Sequence, residues 1–268
     1  MKKRISYILA CICITLCMMP QFLNAQNSKP LNMPFYDDEP YHFGLIVGYN
    51  HAFYSIEYKD GYQNILHDAK QYLIEQSGYS INDGDQYVVN DINTSLGHGF
   101  TVGIIGNLRL AKYIDLRAVP SFSIVGRNVY YDITLIKTDM TRNSLRLASE
   151  TEHICIELPI HIKYKSQRYN NTAGYIIAGA NYKIDWYSNN KKNFIENKPR
   201  TIICKSNDIA AEIGAGFDFY TNHFKLGVEL KMSYGLFNVA NPDYSDFVFT
   251  NSIEKLKNKT FQLSFTFE

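Results

Sequence analysis

Phe224-Lys225-Leu226-Gly227-Val228-Glu229-Leu230-Lys231-Met232-Ser233-Tyr234-Gly235-Leu236 alternates without a break between a large apolar residue and a small or charged one. Period-two alternation places the two sets on opposite faces of an extended strand. The run outlasts the roughly 5–6 residues of an ordinary globular strand and the roughly 9–11 that cross a bilayer at a tilt. Large apolar groups on one face and Lys225, Gly227, Glu229, Lys231 and Ser233 on the other are the lipid-facing and lumen-facing halves of a narrow transmembrane barrel.

The pattern recurs on both sides of this run. His42–Ser55 sets Phe43, Leu45, Val47 and Tyr49 against Gly44, Ile46, Gly48 and Asn50, and Leu96–Leu110 sets Phe100, Val102, Ile104 and Leu108 against Gly99, Thr101, Gly103, Asn107 and Arg109. Ile114–Arg127, Glu152–Lys165, Gly174–Tyr187, Asp208–Tyr220 and the terminal stretch from Lys259 read the same way. The expected fold is therefore all-β, an eight-stranded antiparallel transmembrane β-barrel over residues 42–268. Connections near 111–113, 166–172 and 221–223 are short, and those near 57–95, 139–149, 188–206 and 238–258 are long. This asymmetry predicts short periplasmic turns, long extracellular loops and periplasmic termini. Pro120 and Pro159 fall inside strands, where neither can donate to a ladder.

The inward faces carry a mixed set of charges: Arg109, Arg117, Arg127, Glu157, His161, Lys163, Lys183, Asp185, Glu212, Asp218, Glu229 and Lys231. In so narrow a barrel the side chains fill the interior. Charges buried there need partners, so a closed, ion-paired network is expected rather than a conducting pore.

Lys2-Lys3-Arg4, the apolar stretch Ile5–Met19, Pro20 and Leu23-Asn24-Ala25 read as a secretory signal peptide over 1–25. Residues 26–41 then form a periplasmic N-terminal segment. No other stretch approaches the length of a membrane helix. A net charge of +1 gives no bias toward nucleic acid. Cys11, Cys13 and Cys17 fall within the signal segment, leaving Cys155 and Cys204, whose pairing in an oxidising compartment the sequence does not decide. No His or Cys pair has zinc spacing, and no cofactor or small-molecule substrate is expected. His153 with Glu152 near Ser149 is the best local cluster for catalysis, yet no nucleophile signature accompanies it, so no enzyme activity is expected. Ile65–Ile74 has the pattern of a short amphipathic helix at the rim.

Leu116–Phe122, Ile156–Tyr164 and Gly214–Tyr220 look like strands of a broad family of small outer-membrane barrels of Gram-negative bacteria. Met33-Pro34-Phe35-Tyr36-Asp37-Asp38-Glu39-Pro40-Tyr41-His42-Phe43-Gly44-Leu45 is more specific, and resembles the PorT (SprT) proteins of the type IX secretion system. The likeness runs through the mature chain in strand order and loop lengths. It implies an outer-membrane role in exporting proteins with a C-terminal secretion domain, such as surface proteases and gliding adhesins. The partners it implies are other outer-membrane or periplasmic secretion subunits. The family offers no catalytic residues to carry over. A general structural or porin-like barrel is the alternative.

The residues of 34–41 suggest a docking site in their own right. Phe35, Tyr36 and Tyr41 are aromatic anchors, Asp37, Asp38 and Glu39 are acidic, and Pro34 and Pro40 stiffen the segment. The other reading is that the segment folds back and plugs its own barrel mouth.

Overall fold

The computed structural model describes residues 30–69, 81–186, 204–240 and 252–268. The expected signal peptide lies outside them, as does most of the connection near 188–206. Among the described residues eleven strands form one antiparallel sheet: β1 (Tyr41–Tyr58), β2 (His67–Asp68), β3 (Gln86–Ser95), β4 (Gly97–Ala111), β5 (Ile114–Ala118), β6 (Ser121–Ile136), β7 (Arg142–Lys165), β8 (Thr172–Asp185), β9 (Asn207–Tyr220), β10 (Lys225–Gly235) and β11 (Ile253–Phe267). The pairing closes on itself. From β1 it runs through β11, β10, β9, β8, β7, β5 and β4, and β4 pairs back to β1. No helix among the described residues is long and apolar enough to cross a membrane.

The expected count of eight strands is corrected, for two reasons. The stretch Ile114–Arg127 is broken at Val119-Pro120 into β5 and β6, because Pro120 has no N–H for the ladder. Register survives the break: Ala118 faces Ile160 and Ser121 faces Glu157 on β7, with Val119 N–H donating to the Pro159 carbonyl at 3.1 Å. Second, the long connection after β1 holds strands of its own, β2 and β3, with β3 laid along the far half of β6. That extension also removes the loop expected at 139–149. β6 and β7 continue as one hairpin to a tight turn in which Lys137 N–H donates to the Thr141 carbonyl at 2.9 Å. In the segment read as a rim helix, His67–Asp68 is strand β2, and residues 70–74 lie outside the described residues.

Two regions of opposite polarity share these strands. Toward the short turns, apolar side chains point outward, with Phe43 at 74%, Phe100 at 64% and Ile213 at 65% exposure, while the buried inner face is mainly polar, with a small apolar cluster of Ile46, Ile105 and Val119. Toward the long connections the faces exchange chemistry. On β6 the inward positions pass from Ser123 to Val129, Tyr131, Ile133 and Leu135, and the outward ones from Phe122 and Ile124 to Asn128, Asp132 and Thr134. The inward groups join Tyr54, Tyr87, Val89, Ile92, Leu147 and Leu256 in a buried core. This part is built for water. Burying apolar area inside stabilises it there, and Arg146 forms a two-point ion pair with Asp132 on its outside (2.6 and 2.9 Å). Asp85 ties the turn before β3 to the β6–β7 hairpin. It accepts from the Asn82 N–H (2.9 Å), the Thr138 N–H (2.9 Å) and the Thr138 hydroxyl (2.8 Å). These bonds, led by that from Asn82, hold its carboxyl below the usual range.

Candidate functional site: a filled lumen and a stoppered mouth

The alternation that forms the ring also delivers its charges to one interior, where they pair across strands. Arg117 on β5 donates to Glu229 on β10 at 2.5 Å, and the Tyr175 hydroxyl donates to the same carboxylate oxygen at 3.0 Å. Lys163 donates to Asp218 at 2.7 Å, with its ammonium 3.8 Å from the centre of the Tyr175 ring. Glu212 is the hub of the next layer, 2.7 Å from His161 Nε2 and 2.9 Å from Lys231 Nζ. The Asn181 amide bridges Glu157 (2.8 Å) and Glu212 (2.9 Å), and Lys183 lies 3.6 Å from Glu157. Near the capping core, Asp185 meets His153 Nδ1 at 2.5 Å, and His153 Nε2 lies 2.8 Å from the Tyr54 hydroxyl. Buried ions are tolerable only when paired in this way.

Of the residues expected in the lumen network, Arg117, Glu157, His161, Lys163, Lys183, Asp185, Glu212, Glu229 and Lys231 are all buried and take part in it. Arg109 does not belong there. It sits at the rim, one-quarter exposed, 3.3 Å from Asp38. It comes near the end of β4, where the ladder to β5 slips between Arg109 and Ala111. Sequence reading missed Tyr175 and Asn181 as hydrogen-bonding members, and it missed Glu268, which lies beyond the last alternating pair. Cys155 and Cys204 are buried and not joined in a disulfide. Both line a small polar cavity of about 20 Å³ with Arg127, His153 and Asp208. No metal-binding cluster occurs among the described residues.

The segment before β1 lies across the short-turn end of the ring. Met33, at φ 48°, turns the chain into a single 3-10 turn, Tyr36–Asp38. Tyr36 drops into the mouth. Its ring stacks on His42 (4.0 Å, 16°), meets Tyr220 edge-on (5.9 Å) and lies under the Lys225 ammonium (4.7 Å). Its hydroxyl donates to Glu268 at 3.3 Å, and burial raises its pKa above the ordinary phenol range. Glu268 also accepts from Lys225 (2.8 Å) and Asn107 (2.6 Å). Asp37 accepts from the Tyr220 hydroxyl at 2.9 Å, with Lys165 at 3.5 Å. Arg168 lies over the Tyr220 ring at 3.8 Å and bonds the carbonyls of Asn32 and Met33. The expected docking residues therefore divide. Tyr36 and Asp37 turn into the mouth, and Asp38 pairs with Arg109 at its rim. Phe35 (75% exposed), Glu39 and Tyr41 face out.

Residues 24–241, more than half of the chain, match the family described as "Outer membrane protein beta-barrel domain". The chain belongs to this family. The outward apolar belt and polar lumen are what an outer-membrane barrel of the family requires. Among solved structures the barrel is similar to the outer membrane protein OprG from Pseudomonas aeruginosa, at 11% identity over 85% of this chain and 95% of that one, with a TM-score of 0.37. It is also similar to Ail, the attachment invasion locus protein of Yersinia pestis, in complex with the heparin analogue sucrose octasulfate, at 11% identity over 85% and 98% of the two chains, TM-score 0.29. A comparison with curated proteins finds no match.

Proposed function

We propose that this outer-membrane barrel is a non-catalytic, non-conducting component of the type IX secretion system, required for export of proteins with a C-terminal secretion domain. The observation that supports a scaffold over a pore is the interior. Ion pairs such as Arg117–Glu229 and Lys163–Asp218 bridge the lumen, Tyr36 stoppers one end and an apolar core covers the other. The secretion assignment itself rests on the resemblance carried by Met33–Leu45. In this reading the short-turn end and both termini face the periplasm. There Phe35, Glu39 and Tyr41 offer an exposed aromatic and acidic edge to another secretion subunit.

The test is deletion of the gene, with surface and medium levels of cargo bearing the secretion domain measured against unrelated outer-membrane barrels. Cargo held in the periplasm with the controls unchanged is the expected result. Unchanged secretion overturns the type IX reading and leaves a general structural barrel.

A further inference from the structure

Where the apolar belt ends on the outer wall, β11 turns basic. Phe267, Phe265, Leu263 and Phe261 occupy its outward positions, and Lys259, Lys257 and Lys255 continue the same alternate positions toward the capping region. The three lysines are not equivalent. Lys255 is neutralised by Glu57 at 2.7 Å and Glu254 at 3.8 Å. Lys257 and Lys259 have no carboxylate within 4 Å among the described residues. Instead both ammonium groups lie over one ring, Tyr234, at 5.5 and 5.1 Å from its centre. Tyr234 is the register partner of Lys259 on β10, and Phe53 is its partner on β1. Phe53 stacks on Phe261 at 6.2 Å.

Lysines that served only to keep charge in water would extend apart into solvent. Here two ammonium groups share one aromatic ring at the edge of the lipid belt, an arrangement that an anion beside them stabilises. The floor on one side is apolar, Phe53 and Phe261, so the fitting occupant has an anionic head and acyl chains. We infer that Lys257, Lys259 and Tyr234 hold the phosphate of a phosphomonoester-bearing lipid in the leaflet at the long-connection end. Compact ammonium charges suit a phosphate oxygen set. The inference rests on the belt facing lipid, not on the secretion role.

Native mass spectrometry of the full-length barrel in non-ionic detergent tests it. Lipid A carrying its phosphates is titrated against dephosphorylated lipid A and against inorganic phosphate. The wild-type protein is expected to prefer the phosphorylated lipid at least tenfold. K257Q/K259Q should lower that preference to less than twofold, while K255Q keeps it, with heat-modifiable gel migration reporting barrel formation in each. Should the double variant fail to form a barrel, the wild-type preference is followed against salt instead, and it must fall as ionic strength rises. A preference that survives in a folded double variant, or is indifferent to salt, overturns the inference. So does inorganic phosphate binding as tightly as the lipid, which would make this a free-phosphate site.

Discussion

Arg117→Met is expected to be among the most damaging single changes in the lumen, and Arg117→Met with Glu229→Leu to be markedly less damaging than the two singles combined. Each side chain is about 1% exposed and they meet at 2.5 Å. Removing one partner of such a pair leaves a buried charge without compensation, at about 3–5 kcal/mol. Among the described residues Glu229 would keep the Tyr175 hydroxyl as its hydrogen-bond partner, and Arg117 already carries Nε and Nη2 without a partner. With both ends apolar, what remains is the orphaned Tyr175 hydroxyl, a loss of about 1–3 kcal/mol. The singles should therefore sum to at least about 3 kcal/mol more than the double. Urea unfolding from lipid vesicles measures this, followed by the fluorescence of Trp186. It is the sole tryptophan and is 57% exposed on the outer wall. If the double variant loses as much as the two singles together, the pair is not a coupled unit and the account of the lumen fails.

Tyr36→Ala should release the N-terminal segment to protease in the folded barrel, because four contacts at the mouth are lost together, whereas Phe35→Ala should leave cleavage unchanged. Neither change should produce conductance in a planar bilayer, since the lumen pairs remain, and stable channels in Tyr36→Ala would contradict the filled interior. Asp85 has a depressed carboxyl pKa, so its contribution to holding the cap is present above the unfolded value near 3.9 and is lost as pH falls through the lower folded value. Protection of the 137–141 turn against hydrogen exchange, taken relative to intrinsic exchange at each pH, should fall on acidification in the wild type and be low and nearly pH-independent in Asp85→Asn. Gly179→Ala should abolish the heat-modifiable folded band, because a Cβ there would collide with the backbone of Ile160 and His161; Gly106→Ala, which has room, should fold normally.

How much of this was legible in the sequence depends on which solvent each strand face meets. Within the belt, alternation alone separated Glu212 and Asp218 from Ile213 and Phe217 on β9, because lipid and lumen impose opposite demands on neighbouring residues. Beyond Arg127 the alternation on β6 keeps its phase while the two faces swap chemistry. A reading that sought polar groups inside therefore stopped at Arg127 and left residues 128–136 of the strand unassigned. β3 escaped because its register slips between Val89 and Asp91, which places Val89 and Ile92 rather than alternate residues in the core. The mouth shows a different limit. Tyr36, Tyr220, Lys225 and Glu268 are distant in sequence, and no local pattern announces that one carboxylate receives Tyr36, Lys225 and Asn107.

The exchange of polarity along β6 and its neighbours also gives the protein a depth gauge. Below the switch the wall suits hydrocarbon; above it Asn128, Asp132 and Thr134 face outward and demand water. Sliding further into the bilayer would draw Asp132 and its partner Arg146 toward hydrocarbon, at a cost that grows with depth. Sliding outward would bare Phe122, Ile124 and Phe100 to water. The molecule is thus held at one height. A bilayer thinner or thicker than its belt must bend to meet it, and such bending draws together neighbours that share the same fit.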